Sequence, residues 1–302
     1  MPTQRVDSAP RARDGAWYGR RHGLVSSGGR TVVTNRELVV AGADDRTIVV
    51  TDEGQGPAIL LVHGGSTDGS SWAGVAAVLV ERFRVLRFDR PTYRCDPPPA
   101  GTDAMAGEVG DVLAVADAVD GPLLMVGHSS GAVVALQGAL AAPSRFAGIV
   151  LYEPPLAITE PLGGDPLRRA RAALDAGDPD RAMSIYLCEI VQASAAGVAA
   201  LRLMPSIWDE LCGYAPAQLA DAEAIESLGV GLDRYAHLDL PALLLGGGRS
   251  PAHLRRRLDA LADVLPHVDS TVILPRQGHL ANLRAPGDVA RVIASFAGRV
   301  MR

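Results

Sequence analysis

A serine in the pattern G-x-S-x-G, residues 127–131, is the first candidate for chemistry in this sequence. The apolar run LLMV precedes it and the helical pattern AVVALQGALAA follows it. A turn this tight between a strand and a helix needs glycine at the flanking positions, and it exposes the serine Oγ at the end of the strand. The pattern therefore predicts Ser129 as a nucleophile. A binding protein that keeps the turn without the reaction is the alternative.

A serine nucleophile needs a base, and His279 is the best candidate among the seven histidines. It lies in LPRQGH, after the last apolar run and 150 residues beyond the serine, an order that suits a base taking the Ser129 proton. His63 and His128 lie inside glycine-rich turns of their own, which restricts their movement. The other four histidines occur in the N-terminal segment or in helical and surface-like contexts: His22, His237, His253 and His267.

The segment HGG at 63–65 directly follows the apolar run AILLV and predicts an anion-binding turn. A backbone N–H in such a turn could face the serine and, together with the N–H of Ser130, stabilise a developing oxyanion. Gly65 is the first choice for this donor and Ser66 the second. Trp72, a few residues further on, is expected to wall the acyl side of a substrate pocket. A simple turn at the end of a strand would give the same pattern.

The composition excludes several other kinds of chemistry. All 29 basic residues are arginine, so a Schiff base or a Ser–Lys pair is excluded, since both need a lysine amine. The net charge is only −5, which gives no reason to expect nucleic acid or an anionic membrane as a partner. Cys95, Cys188 and Cys212 fit neither a disulfide framework nor a metal-binding spacing. We therefore expect no metal and no cofactor, and a small-molecule substrate.

The elements that must position these residues alternate regularly. Apolar strand-like runs such as AILLV, RVLRF, LLMV, GIVLY, ALLL and STVIL are separated by segments of helical period. Continuous apolar strands that alternate with helices predict an α/β fold in which helices cover both faces of a mostly parallel sheet. We expect the core to comprise residues 31–156 and 239–302.

Two segments depart from this alternation. Residues 157–238 have helical patterns and no good strand, so we predict a helical lid inserted between two strands. Most of its bulky apolar residues are expected to form the core of the lid. A few are expected to line a substrate pocket, and the candidates are Met183, Tyr186, Met204 and Trp208. Residues 1–30 are rich in arginine, glycine and serine and predict a flexible arm. Trp17 and Tyr18 could anchor this arm to the core or to a second subunit in a homodimer.

No apolar run approaches the length of a membrane span, and the first residues lack the apolar stretch of a secretory signal. These features favour a cytoplasmic protein.

The HGG turn, the serine turn and the late histidine, in this order along the chain, resemble the α/β-hydrolase superfamily in its serine-nucleophile branch. The resemblance runs from about residue 36 to the C-terminus. It includes RFDRPTYRCD, which is similar to a DRRGxGxS loop common in the family but has Pro91 and Thr92 in place of Arg-Gly. The resemblance implies an α/β-hydrolase fold, a catalytic triad and an oxyanion hole.

The acid of the triad is missing from its usual place in the family. GGRSP aligns with the family's G-x-x-D-P, so Ser250 stands where the aspartate is expected. In some branches, the haloalkane dehalogenases among them, the acid follows the strand after the nucleophile helix. By that resemblance Glu153, in GIVLYEPP, becomes the expected acid. A structural carboxylate at this position is the alternative, and Asp233 or Asp239 could also supply the acid.

The leading function is hydrolysis by acyl transfer. A serine nucleophile argues against the dehalogenase and epoxide hydrolase reactions of the superfamily, because the resemblance implies an aspartate nucleophile for them. We expect a medium-sized hydrophobic ester, thioester or lactone as the substrate. A lyase or cyclase that uses the same pocket is the alternative, and a ligand-binding protein with a vestigial triad is a third reading.

Overall fold

The computed structural model describes residues 35–43, 46–94, 98 and 102–301. The predicted arm at residues 1–30, with Trp17 and Tyr18, lies outside these residues, as does Cys95. All the described residues belong to one compact unit.

An eight-stranded sheet forms the centre of this unit. Its order is β1-β2-β4-β3-β5-β6-β7-β8; β2 pairs with β1 and β4 in antiparallel fashion and all other pairs are parallel. The strands are β1 (Asn35–Ala41), β2 (Thr47–Gly54), β3 (Ala58–Val62), β4 (Arg84–Phe88), β5 (Leu123–His128), β6 (Phe146–Tyr152), β7 (Ala242–Gly247) and β8 (Val268–Leu274). The predicted α/β class with a mostly parallel sheet is confirmed.

Helices cover both faces of the sheet, as the fully apolar central strands require. The helices are α1 (Ala73–Leu79), α2 (Thr102–Asp117), α3 (Ser130–Ala141), α4 (Gly164–Asp175), α5 (Pro179–Ile185), α6 (Ala195–Arg202), α7 (Pro205–Gly213), α8 (Ala215–Ser227), α9 (Ala252–Val264), α10 (Ala281–Arg284) and α11 (Pro286–Val300). Strand β3 shows the two layers well. Ile59 and Leu61 pack into the apolar cluster that includes α1 and α11, whereas Leu60 and Val62 pack into the cluster that includes α2, α3 and α9.

The five helices α4 to α8 lie between β6 and β7, and within the described span 157–238 there is no strand. They have two small apolar clusters of their own, and α8 also packs against α2 and α3. A π-helical turn, Tyr186–Ile190, follows α5. In the part of the chain that the structure describes, no helix combines the length and the apolar character needed to cross a membrane.

Candidate active site

Ser129 occupies a sharp turn between β5 and α3. Its backbone has φ 52° and ψ −126°, a region that side chains other than glycine disfavour. Hydrogen bonds hold the turn: the Ser129 N–H donates to the Tyr152 carbonyl at 2.8 Å, and its carbonyl accepts from Ala132 at 2.9 Å. The flanking glycines have no room for a side chain, because a Cβ on Gly127 or Gly131 would lie 2.4 or 2.2 Å from a backbone oxygen.

Glu153 and His279 are in direct contact. His279 Nδ1 lies 2.6 Å from Glu153 Oε2, while Glu153 Oε1 accepts a hydrogen bond from the Gly247 N–H at 2.7 Å. The Glu153 side chain is 1% exposed, and its backbone has φ 48°, a second unfavourable conformation directly after a strand. Because Nδ1 faces the carboxylate, Nε2 is the ring nitrogen left to exchange a proton with a substrate or nucleophile.

The other candidate acids lie elsewhere. The Ser250 hydroxyl is buried and has no hydrogen-bond partner among the described residues. Asp239 is exposed and lies 2.9 Å from His267, and Asp233 is an exposed residue at the start of a 3₁₀ turn. Among the residues that the structure describes, Glu153 is therefore the carboxylate that contacts His279.

Two neighbouring side chains fix the loop that carries His279. The His128 ring lies with its centroid 4.6 Å from that of His279, and its Nε2 donates to the His279 carbonyl at 2.8 Å. Burial, followed by the nearby His279, lowers the pKa of His128 well below its ordinary value, so His128 is neutral at pH 7. The Tyr152 hydroxyl donates to the Gly278 carbonyl and accepts from the Ala281 N–H at 3.1 Å. These contacts hold the backbone on both sides of His279.

Ser129 and His279 line the same small cavity, of about 50 Å³, which we call the inner cavity. The inserted helices supply part of its wall, including Tyr186 and Gln218. Tyr186 is the one predicted pocket residue of these helices that lines the inner cavity.

The other predicted pocket residues do not belong to the described wall of the inner cavity. Met183 and Trp208 are buried in a separate apolar cluster of the inserted helices, because their helices pack on each other. Met204 is 41% exposed. Trp72 is fully buried behind His128, edge to face with a centroid distance of 6.2 Å. Bulky apolar residues of an inserted helical segment thus stabilise the segment itself instead of forming the pocket.

The HGG turn, which carries the predicted donor Gly65, comes close to Ser129 at Gly64. A Cβ on Gly64 would lie 3.1 Å from the Ser129 Cβ, so this backbone closely approaches the Ser129 side chain. A Cβ on Gly65 would lie 2.3 Å from Gln218 Oε1. The same oxygen accepts a hydrogen bond from Ser66 Oγ at 2.7 Å. The inserted helix α8 therefore packs directly on the turn that would supply the N–H donor.

A buried ionic network, which the sequence reasoning missed, links this region to the inserted helices. Arg90 is 0% exposed; its guanidinium donates to Glu108 at 2.9 Å, to Ser130 Oγ at 2.9 Å and to Asp221 at 2.7 and 3.2 Å. Burial by itself would lower the pKa of Arg90, but the two carboxylates raise it above the ordinary value. The guanidinium thus remains charged and joins α2, α3 and α8.

The departure from the family loop explains part of this network. Pro91–Tyr93 form a 3₁₀ turn after Arg90, and the Tyr93 hydroxyl donates to Asp221 at 2.7 Å. Burial by itself would raise the pKa of Asp221, but Arg90 lowers it overall. The segment DRPTY was the available signal, since an arginine two residues after a largely apolar strand needs charged or polar partners if it is buried.

Several known proteins resemble this chain. The sequence model of the Alpha/beta hydrolase family matches residues 59–292. A pimeloyl-(acyl-carrier protein) methyl ester esterase from Methylococcus capsulatus is 37% identical over 106 residues, which cover 34% of this chain and 39% of that protein. The match thus spans about two-fifths of this curated relative's length.

Solved structures match over much more of the chain. An alpha/beta hydrolase from Sphaerobacter thermophilus DSM 20745 has a TM-score of 0.74 and 28% identity, covering 86% of this chain and 99% of that one. The enol-lactonase from Burkholderia xenovorans LB400 has a TM-score of 0.67 and 20% identity, covering 86% and 100%. The second likeness concerns the fold alone.

Proposed function

Because this chain belongs to the Alpha/beta hydrolase family, we propose that it hydrolyses an ester-like bond by acyl transfer through Ser129. The main support for the proposal is the contact of 2.6 Å between Glu153 and His279. His279 lines the inner cavity together with Ser129. The relative named a methyl ester esterase supports an ester as the substrate. The proposed substrate class also includes lactones, because the enol-lactonase has the same fold.

In the first half of the reaction, Ser129 Oγ attacks the substrate carbonyl while His279 Nε2 takes its proton. The carbonyl π electrons move to the oxygen, and the N–H groups of Gly65 and Ser130 stabilise the resulting charge. Collapse of this intermediate breaks the bond to the leaving alkoxide, which receives the proton from His279. The Glu153 carboxylate stabilises the imidazolium that exists between these two proton transfers.

In the second half, water replaces the alcohol. His279 removes a proton from the water as it attacks the acyl-enzyme, and then returns that proton to Ser129 Oγ as the acid product leaves. The buried carboxylate of Glu153, held by Gly247, needs no rearrangement at either step, which is how a preorganised site lowers a barrier.

The size of the inner cavity, about 50 Å³, favours a short acyl group over the medium-sized hydrophobic group expected from the sequence. The helices α4 to α8 act as the lid in this proposal, since Tyr186, Ile190 and Gln218 close the cavity above Ser129. A short-chain ester, thioester or lactone is therefore the proposed substrate class.

Hydrolysis of p-nitrophenyl acetate and butyrate by the wild type and by Ser129→Ala tests the proposal. We expect turnover by the wild type and none by the variant beyond the rate in buffer, with an unchanged melting temperature because the hydroxyl makes little packing contact at the turn. Equal turnover by the two proteins would contradict the proposal. Ser227→Ala, a serine at the end of α8 that is absent from the described cavity wall, is the matched control.

A further inference from the structure

An arginine lies at the junction of two cavities. Arg257, on α9, lines both the inner cavity and a larger outer cavity of about 470 Å³. The two cavities also share Leu162 and His253 as wall residues. A molecule whose reacting carbonyl lay at Ser129 would therefore have Arg257 in the wall of the cavity that holds it.

Hydrogen bonds to neutral acceptors orient the Arg257 side chain. Its Nε donates to the Leu156 carbonyl at 2.8 Å, and its Nη1 contacts His253 Nδ1. His253 Nε2 lies 3.0 Å from the Val191 carbonyl and donates to it, which leaves Nδ1 as an acceptor for the arginine. Burial, followed by the charges of Arg257 and Arg256, lowers the pKa of His253, so it is neutral near pH 7. The remaining guanidinium N–H groups are available to a ligand.

The charge of Arg257 has no carboxylate partner within the described part of the chain. Burial, with Arg256 as the second cause, lowers its pKa below the ordinary value; this is the direction expected for a cation that no anion compensates. The described wall of the outer cavity has three carboxylates. Asp165 and Glu189 are paired with Arg169, and no salt bridge links Glu160 to Arg257.

We propose that Arg257 binds a carboxylate of the substrate, and that the preferred substrates are short monoesters of dicarboxylic acids. The proposal rests on the proposed esterase function and adds a substrate class to it. A planar guanidinium with free N–H groups on one side matches a carboxylate in a two-point contact. The anion would remove the cost of an uncompensated cation next to the inner cavity, and it would orient the ester carbonyl toward Ser129.

Monomethyl glutarate and dimethyl glutarate form a matched pair of probes, since they differ in one carboxylate and have similar length. We expect the wild type to release methanol from monomethyl glutarate with a kcat/KM at least about tenfold above that for dimethyl glutarate, the gain of one charge-assisted contact. In Arg257→Gln this ratio should fall to near one. Arg257→Lys should keep part of the preference, since it retains the charge and loses the planar geometry.

Arg255→Gln is the control, because Arg255 is an exposed residue of the same helix that pairs with Asp259 at 2.7 Å and lies outside the described walls of both cavities. It should keep the wild-type ratio. A wild-type ratio near one, or a ratio that Arg257→Gln leaves unchanged, would overturn the inference while leaving the esterase proposal intact.

Binding provides a readout that does not depend on turnover. Calorimetry of Ser129→Ala with monomethyl glutarate should show binding that Arg257→Gln weakens at least about tenfold. Binding through Arg257 without hydrolysis of monomethyl glutarate by the wild type would contradict the proposed substrate class, and hydrolysis of dimethyl glutarate without Arg257-dependent binding would contradict the carboxylate contact. The esterase proposal is decided separately, by turnover of the p-nitrophenyl esters.

Discussion

Glu153 Oε2 lies 2.6 Å from His279 Nδ1, although the two residues are 126 positions apart in the sequence. Glu153 follows β6 and Ser250 follows β7, the neighbouring parallel strand. The carboxyl ends of parallel neighbours meet at one edge of the sheet, so an acid at either position can approach the same histidine. The proposed acid thus follows β6, one strand away from the position after β7 where the family resemblance places it. Its second oxygen accepts a hydrogen bond from the Gly247 N–H at the end of β7.

Replacing the acid tests this relationship. Glu153→Gln keeps the shape of the side chain and removes the charge opposite the imidazolium, so we expect kcat to fall by about 10²–10⁴-fold on a p-nitrophenyl ester, as for other triad acids. Asp233→Asn and Asp239→Asn are the controls, and neither should change kcat. A full rate in Glu153→Gln would show that the acid lies elsewhere.

A second test of the acid's position uses Ser250, whose buried hydroxyl has no hydrogen-bond partner among the described residues. Adding Ser250→Asp to Glu153→Gln should restore part of kcat, because it places a carboxylate at the family's usual position. Ser250→Asp alone should give no gain, since it would add a second buried carboxylate beside Glu153. Equal rates for Glu153→Gln with and without Ser250→Asp would contradict the one-strand relationship.

The buried network around Arg90 gives a prediction about stability. Asp221→Asn keeps the volume but leaves the buried guanidinium with less negative charge, so the free energy of unfolding should fall by about 3–5 kcal/mol. Glu223→Gln is the matched control on the same helix: its partner Arg171 is partly exposed, as is Glu223 itself, so the loss should be at most about 1 kcal/mol. Urea unfolding of the three proteins at pH 7.5 measures the difference. Equal losses for the two variants would contradict a structural role for the network.

His63 gives a prediction about pH. Burial, with Arg90 second, lowers the pKa of His63 from 6.5 to about 4; its Nε2 accepts from the Arg90 N–H at 2.8 Å and its Nδ1 lies 2.7 Å from the Gly64 carbonyl. The unfolded chain therefore binds one more proton at this residue between these pH values, and the free energy of unfolding falls as the pH drops from 6.5 to 4. The contribution approaches about 1.4 kcal/mol per pH unit.

Urea unfolding from pH 7.5 to 4.5 should show this slope, and His63→Gln should reduce it by about one proton because glutamine can accept the same hydrogen bond without titrating. His237→Gln, at an exposed histidine, should leave the slope as in the wild type. An unchanged slope in His63→Gln would contradict the assignment of His63 as a buried neutral acceptor.

Tyr152 tests whether the loop of His279 must be held in place. Tyr152→Phe removes the hydroxyl that joins Gly278 and Ala281, and we expect kcat to fall by up to about 10²-fold, the scale of a small misplacement of a catalytic group. Tyr235→Phe is the control: its hydroxyl accepts a hydrogen bond from Gln137 at 2.8 Å, away from the described cavity wall. Both variants should lose similar stability, whereas Tyr152→Phe alone should lose rate. Equal effects of the two variants on kcat would contradict the positioning role.

The sequence predicted the parts of this molecule that depend on local patterns. Alternating apolar strands and helices predicted the sheet, and the glycines around Ser129 predicted a turn in which a Cβ has no room. Family resemblance predicted the pairing of Glu153 with His279, because topology determines which strand ends meet. The sheet and the turn follow from periodicity and turn geometry, which can be read from a single sequence, whereas the strand order behind the pairing was implied by the family resemblance.

The sequence did not predict which side chains line the cavity. Met183 and Trp208 were expected there because they are apolar, but both are buried where the inserted helices pack against each other. The polar residues Gln218 and Arg257 line the cavity instead. Helical periodicity gives the buried face of a helix but not what that face meets, and a buried polar residue has the same pattern as a surface one. The ionic network of Arg90 was missed for the same reason, since its partners Glu108 and Asp221 are far apart in the sequence.

Labelling by a fluorophosphonate probe, followed by peptide mass spectrometry, tests whether Ser129 is an activated nucleophile. We expect one phosphonyl adduct, on Ser129, since the probe reacts with a serine that a neighbouring base activates. The adduct should be absent in Ser129→Ala, and it should form far more slowly in His279→Ala and in Glu153→Gln, with each variant folded as judged by its melting temperature. An unlabelled wild type, an adduct on another residue, or labelling of Ser129 at the same rate without His279 would contradict the role of Ser129 as a nucleophile activated by His279.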